Sequence, residues 1–427
     1  MTDALMVGTA EVEITPPVGT ALAGSLGPRT SVGVQDPLYV KAIVLQSGEQ
    51  RLAYVILDLI KFYRREGDAA VALASERTGI PAANIVWAAS HTHTGPYTGD
   101  IFGAAEGGVD TEWLAAIPGK FADAVAQAHD AVRPARMRRT RGFHVGLSHN
   151  RRLLFKNGRA VNTWNLARAD GDMQCVGSAG PIDPAVGILA FDDERGAVLA
   201  VLFHFTLHTN TNFGPRFSAD YPGVVAARMR ERFGADVSTL FLPGAFADLN
   251  CMGQSYRQVG DALADVIARE LEEPAPREEH VRLDSVKREV VVPFRDFTAD
   301  QEERIRASGW SEADQEVFRR EIDIMRREGK TEAETVLQAW RIGDVGFASL
   351  PGELFVEWGL KIKRESPFPW TYPVELGGDY LGYLVTQQAW EAGGYESLIA
   401  RSAKPSHEGV SQMVDGALDM LRELHDR

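Results

Sequence analysis

The stretch Ile85-Val86-Trp87-Ala88-Ala89-Ser90-His91-Thr92-His93-Thr94-Gly95-Pro96 decides how this chain is read. Residues 85–89 are a short apolar run, expected to be a buried strand. Gly95-Pro96 then forces the chain into a turn. Two imidazoles therefore stand near the carboxyl end of a strand, the edge at which open α/β sheets bind ligands. Two positions apart, His91 and His93 project to the same face of an extended chain. Neutral imidazole is the commonest metal ligand and an acid–base group near pH 7, so one of the pair can hold a metal while the other handles protons. The plainer alternative is a polar strand end whose hydrogen bonds are satisfied.

The 427 residues are 44% hydrophobic and 24% charged, enough for a sizeable globular core. The formal net charge of −14 argues against nucleic acid and anionic membrane surfaces, both of which demand a basic face. Two cysteines, Cys175 and Cys251, give neither a disulfide framework nor a cysteine zinc site. The first residues lack a basic and an apolar segment, so no signal peptide is expected. No apolar run reaches the roughly 18 residues of a membrane span. A cytoplasmic protein with no integral membrane association is the expectation.

Outward from the opening stretch, strands are expected at 10–15, 38–46 and 51–59, with a glycine-rich loop (Gly24, Gly27, Gly33) after the first and a helix at 64–79. Asp58 is a polar strand end or a site neighbour. Residues 95–109, small and glycine-rich, are a plausible active-site loop. A helix follows at 111–132, with a break at Pro118-Gly119 weighed. His144 and His149 are read as structural or loop residues on opposite faces of a strand, with Arg151 the more interesting group. A hairpin at 186–191 and 197–207 runs into His204 and His208; the first sits inside an apolar run and suits the core, the second opens onto Thr209-Asn210-Thr211-Asn212 and is better placed as a ligand. Asp220 is expected near a helix cap. Strands at 239–242, 285–294, 335–342 and 345–350 and helices at 254–272, 354–364 and 408–425 complete the pattern. The charged segment 299–329 reads as a helical excursion over the surface and a candidate lid. Glu353, after Pro351-Gly352, is either a third strand-end functional group or a helix-start acid favoured by the macrodipole.

These pieces resemble one family, the neutral/alkaline non-lysosomal ceramidases and their shorter relatives. The opening Val7-Gly8-Thr9-Ala10-Glu11-Val12-Glu13-Ile14-Thr15-Pro16 is similar to the family's first strand, and residues 89–96 to its Ser-His-Thr-His-Ser-Gly-Pro signature. Phe205-Thr206-Leu207-His208, Ser218-Ala219-Asp220, Pro351-Gly352-Glu353 and the run from Gly382-Tyr383-Leu384-Val385-Thr386 to Tyr395-Glu396 follow in the family's order. The resemblance implies an α/β catalytic domain with a mixed sheet core flanked by helices. It implies a zinc ion held by His91, His208, Glu353 and Tyr383, and His93 beside substrate or attacking water. It also implies that Tyr395 faces the scissile carbonyl and that Arg151 anchors a polar group of the substrate. Two departures stand out. The family's Gly-Asp-Val-Ser-Pro-Asn segment offers a serine where this chain has Asn250, within Ala247-Asp248-Leu249-Asn250-Cys251. Asparagine can donate a hydrogen bond but cannot accept an acyl group, so water becomes the expected nucleophile. Ceramidases also carry a C-terminal β-sandwich, whereas residues 1–427 read as a single zinc-hydrolase domain with a helical excursion at about 295–333.

The expectation is thus a zinc-dependent amidohydrolase acting through metal-activated water, with His93 moving the proton and Tyr395 stabilising the oxyanion. The substrate expected is a small soluble N-acyl compound or a ceramide-like lipid amide. A guanidinium at Arg151 suits an anionic or carbonyl-rich end. An esterase or lactonase using the same site, and a non-catalytic ligand-binding relative, are the alternatives.

Overall fold

The computed structural model describes residues 4–102, 108–168, 174–297 and 301–427. Three mixed sheets make the core. The first runs in the order Ile85–Ala89, Gln50–Leu57, Tyr39–Ser47, Leu5–Glu13, Arg133–Pro134. The second is Ser238–Pro243, Val198–Phe205, Ala185–Asp192, Arg136–Phe143, and the third Leu283–Pro293, Glu332–Ile342, Val345–Ser349, Trp370–Val374.

Strict alternation along these strands explains the layering, because successive side chains leave a strand on opposite faces. Ile43, Leu45, Leu52, Tyr54 and Ile56 point inward to a common core with Leu189, Phe191 and Leu202 of the second sheet and Trp340, Ile342 and Phe347 of the third. Their neighbours Val40, Ala42, Val44, Ala53, Val55 and Leu57 bury the opposite face. There they pack under helices that include Arg64–Thr78 and Thr111–Asp130. The third sheet is covered by the C-terminal helix His407–Asp426 through residues such as Leu337, Ala339, Met413 and Leu421. Strands buried on both faces read as nearly continuous apolar runs, which is why their periodicity is weak in the sequence. The sheets are pinned together at Tyr54, whose hydroxyl donates to the Phe241 carbonyl at 2.8 Å and whose ring stacks on Trp340.

Several boundaries differ from the sequence expectation. The first strand is Leu5–Glu13 and ends before Pro16-Pro17. Helix Thr111–Asp130 continues through Pro118; its apolar face, with Ile117 and Phe121 fully buried, holds the helix together across the lost hydrogen bond. His144 and His149 do not share a strand: one strand ends at Phe143 and the next is Ser148–Asn150. Asp58 is a polar strand end, accepting from the Tyr39 N–H at 3.0 Å. The charged segment forms two helices, Gln301–Ala307 and Glu312–Glu328. Residues 298–300, and 103–107 of the glycine-rich loop, lie outside the described residues. Among those described, no helix is long and apolar enough to cross a membrane.

The parallel strand pairs position the functional groups. Among the described residues each large sheet contains one parallel pair: Gln50–Leu57 with Ile85–Ala89, Val198–Phe205 with Ser238–Pro243, and Val345–Ser349 with Trp370–Val374. The carboxyl ends of all three pairs open onto the same cavity, about 520 Å³ in volume, within the size range of small-molecule sites.

Candidate metal centre and active-site cavity

Beyond the first parallel pair come Ile60 and His91. The strand stops at Ala89, and His91 has φ +67°, so the two histidines do not share an extended face as the His-x-His spacing suggests. They converge because the chain turns sharply between them, and their rings meet nearly perpendicular with centroids 5.0 Å apart. His91 Nδ1 donates to the Ile60 carbonyl at 2.6 Å. His93 Nδ1 donates to the Gly24 carbonyl at 2.9 Å. Gly24 has φ +95°, and a Cβ there would lie 2.7 Å from the His93 ring, so this member of the glycine-rich loop is there to let the ring in.

Beyond the second pair comes His208, three residues past the end of its strand. Its Nδ1 lies 3.3 Å from the Phe246 carbonyl, which can only accept, and 3.5 Å from Arg151 Nη1, which can only donate; the shorter contact assigns that nitrogen the proton. His204 stays in the core, bonded through Nε2 to the Pro373 carbonyl at 2.9 Å. Beyond the third pair come Glu353 and Tyr383, directly opposite one another in a short parallel bridge, and Tyr380, whose hydroxyl donates to Glu353 Oε1 at 2.7 Å.

The donor set fits a metal ion. All three Nδ1 atoms are spent on carbonyls, so His91, His93 and His208 turn lone pairs on Nε2 into one space, with candidate ligand atoms within 4.8 Å of one another. His93 Nε2 and His208 Nε2 are 3.1 Å apart. Burial, followed by the neighbouring His91, pushes His93 down to about 3 and His208 well below its ordinary range. Two neutral acceptors facing each other call for a cation between or beside them. Glu353 Oε2 is buried, lacks a hydrogen-bond partner, and lies 3.4 Å from His91 Nε2. Tetrahedral ligands on bonds of about 2.0–2.1 Å stand about 3.4 Å apart. Burial would raise the Glu353 carboxyl, but His91, Tyr380 and Arg151 outweigh it and hold it at about 2; the group is an anion.

The remaining residues singled out in the sequence surround this cluster. Arg151 is fully buried; Nε donates to Glu396 at 2.7 Å, Nη2 to the Tyr383 hydroxyl at 3.1 Å and Nη1 to Asn250 Oδ1 at 3.3 Å. Asn250 also accepts from Asn210 at 3.1 Å, so its carbonyl oxygen links two donors at the cavity wall. Tyr395 packs its ring against Tyr383, Trp164, Trp310 and Phe318. Burial and then Glu353 raise the hydroxyls of both Tyr383 and Tyr395 above their ordinary value, so each is a neutral O–H that can donate. His91, His93, Arg151, His208, Asn250, Glu353, Tyr383 and Tyr395 all line the one cavity.

Sequence reasoning missed four contributors. Tyr380 was visible only as one of several tyrosines among glycines. Glu375 is buried behind the site, where its Oε2 accepts from the Phe246 and Leu354 N–H groups at 3.1 and 2.8 Å; the signal was a lone acid in the run Tyr372-Pro373-Val374-Glu375-Leu376. Trp310 comes from the charged excursion, whose polar composition hid it. Lys61 follows Leu59-Ile60 in an otherwise apolar stretch and lines the cavity.

No protein-family model matches this chain, and no curated protein does. The fold is nevertheless shared with solved structures. Neutral ceramidase from Pseudomonas aeruginosa superimposes with a TM-score of 0.74 at 19% identity, over 99% of this chain and 75% of that one. A ceramidase complexed with C2 does so with a TM-score of 0.73 at 18% identity, over 99% and 76%. The chain is a structural relative of the neutral ceramidases, with the α/β architecture expected.

Proposed function

We propose that this protein is a zinc-dependent amidohydrolase that cleaves the C–N bond of an N-acyl compound. The observation that carries the reading is the donor set itself: three imidazoles whose candidate ligand atoms lie within 4.8 Å of one another, and an unsatisfied, ionised Glu353 oxygen 3.4 Å from His91 Nε2, all lining one cavity. The fold shared with ceramidases supports it. His91, His208 and Glu353 would hold the ion, with the Tyr383 oxygen as fourth ligand; two imidazoles and a carboxylate make a standard catalytic set. Bound zinc would polarise the acyl carbonyl and activate water.

The chain's own groups do the rest. His93 is neutral, and with Nδ1 fixed on Gly24 it offers Nε2 as the acceptor for the proton of attacking water and as its later donor to the leaving amine. The Tyr395 hydroxyl, kept protonated by burial, donates to the oxyanion. Arg151 holds Tyr383 and Asn250 in place and presents positive charge to the cavity. Asn250 stands where ceramidases offer serine and has no nucleophilic oxygen, which supports water as the attacking group. Trp310 and Phe318 pack against the Tyr395 ring and shield that side of the site from bulk solvent, strengthening these interactions.

Metal content of the purified protein tests the reading, with His91→Ala and His208→Ala beside the wild type. About one zinc per chain, lost in both variants together with hydrolysis of N-acyl substrates, is expected. A wild type that neither contains nor takes up zinc would overturn it.

A further inference from the structure

Of the two cations that line the cavity, Lys61 and Arg151, the proposed reaction uses only Arg151. Lys61 follows Ile60, the residue whose carbonyl fixes His91, and is buried at 7% exposure with its side chain lining the cavity. Its ammonium sits 4.7 Å from the ring centroid of Tyr380 and 5.7 Å from that of Tyr63. No hydrogen bond or ion pair to Nζ occurs among the described residues, although an ammonium carries three donors. The other cavity cation, Arg151, is paired with Glu396 at 2.7 Å. The acids that act on Lys61, Glu353 and Glu321, are each committed elsewhere: Glu353 to Tyr380 and the imidazole cluster, Glu321 to Arg401 at 2.7 Å.

Ile60, Tyr97, Ile101 and Phe102 line the same cavity and carry no charge. Burial lowers the ammonium towards about 7, against the pull of Glu353. An unpaired buried cation is costly, and an anion entering the cavity would remove that cost. Tyr380, over whose ring the ammonium lies, is itself bonded to Glu353 at 2.7 Å, which places the charge one side chain away from the candidate metal centre.

We propose that Lys61 is a specificity-determining residue that selects substrates carrying a carboxylate close to the scissile amide, so that the substrate class is N-acyl amino acids rather than neutral lipid amides. The proposal rests on the amidohydrolase reading for the word substrate, but not for the binding it predicts.

Binding is therefore measured with probes that cannot be hydrolysed: the ketone isostere of N-octanoylglycine, in which a methylene replaces the amide nitrogen, and the neutral alcohol in which a hydroxymethyl group replaces the carboxylate of that same ketone. Calorimetry on the zinc-loaded wild type should show the acid binding at least tenfold more tightly than the alcohol, as a charge-assisted contact implies. Lys61→Met should abolish that preference while leaving affinity for the neutral probe unchanged, and Lys61→Arg should keep most of it. Lys61→Gln serves if the methionine variant does not fold. Equal affinities in the wild type would overturn the proposal. So would a preference that survives in Lys61→Met, because the metal or Arg151 would then be reading the anion. Turnover of N-octanoylglycine is scored separately. A Lys61-dependent preference without turnover removes the hydrolase and leaves the site; turnover without the preference does the reverse.

Discussion

Replacing Tyr380 by phenylalanine isolates a single hydrogen bond at the candidate metal centre. The ring stays, and with it the edge contact to Tyr63 and the stack under Lys61. What goes is the O–H that donates to Glu353 Oε1 at 2.7 Å. Glu353 is fully buried and ionised, and its other oxygen makes no hydrogen bond. The lost contact is therefore the only hydrogen bond to this carboxylate among the described side chains. A hydrogen bond to a charged group contributes about 1.5–3 kcal/mol, or roughly 10- to 150-fold in an equilibrium constant at 1.4 kcal/mol per decade. Outer partners of metal ligands shift metal affinity by about 10- to 100-fold when removed, so two independent lines agree. The assay is zinc affinity by competition with a fluorescent chelator, wild type against Tyr380→Phe. Weakening by one to two orders of magnitude is expected, with kcat falling less than affinity once zinc is saturating. A change of less than about threefold would show that Glu353 is not a metal ligand, since an oriented carboxylate cannot lose its only hydrogen bond at no cost to the ion it holds.

Glu396 bridges Arg151 and Arg152 at 2.7 and 2.8 Å with no exposure. Glu396→Gln should lower unfolding free energy by about 3–5 kcal/mol at neutral pH, because it leaves two buried guanidinium groups short of a counter-charge; denaturant titration checks this. Its pH dependence has a defined sign. Burial would raise the carboxyl, but Arg151 and Arg152 hold it below the ordinary 4.5. The stabilisation is fully present above that value and is lost as pH falls through the depressed folded-state pKa. The gap between wild type and variant should therefore shrink on acidification below 4.5; a gap constant with pH would refute the assignment. Glu321, buried on helix Glu312–Glu328, accepts from Arg401 Nε and Nη2 and from the Phe102 N–H at 2.7–3.2 Å. Glu321→Ala should speed proteolytic cleavage within 301–328 at least tenfold and raise KM, with zinc content unchanged; unaltered cleavage would mean that this helix is held by its apolar face alone.

The site's parts were more legible than its assembly. His91, His93, His208 and Glu353 stood out because polar groups followed apolar runs, and the structure brings all four together. What the sequence could not carry was the distance relation. His93 and His208 meet at Nε2 across 115 positions, and Glu353 comes from a separate two-stranded pairing with Tyr383. His93 lies nearer the ligand atoms than an outer role implies, because the turn at His91 swings it inward rather than alternation along a strand. Arg151 read as a substrate anchor, yet its Nε is tied to Glu396. Trp310 was hidden in a segment whose charge pointed to solvent. The Pro118 break failed for a related reason: local propensity gave way to a fully buried helix face.

Backbone strain marks the segments that deliver the ligands. Among the described residues, four non-glycine residues have positive φ: His91, Phe102, Asp220 and Leu376. Such conformations cost of order 1–3 kcal/mol each and persist only where the surroundings over-determine them. His91 is one of the proposed ligands, held by its own N–H on the Leu59 carbonyl at 2.8 Å and by Nδ1 on Ile60. Asp220 opens its helix and accepts from the Tyr221 N–H of the first turn through Oδ1 at 2.6 Å. Its Oδ2 turns back to accept the Thr211 and Asn212 N–H groups at 3.0 and 2.9 Å, fixing the loop that follows His208. Leu376 accepts from the Ala89 N–H at 3.2 Å and donates to the Gly352 carbonyl at 3.0 Å, so one strained residue ties the strand leading to His91 to the turn leading to Glu353. Each ligand-bearing strand end is thus braced by a residue in a conformation that the chain would not adopt on its own. A merely structural polar cluster would have no need of that bracing, whereas a site that must hold three donors in a fixed geometry around one ion would.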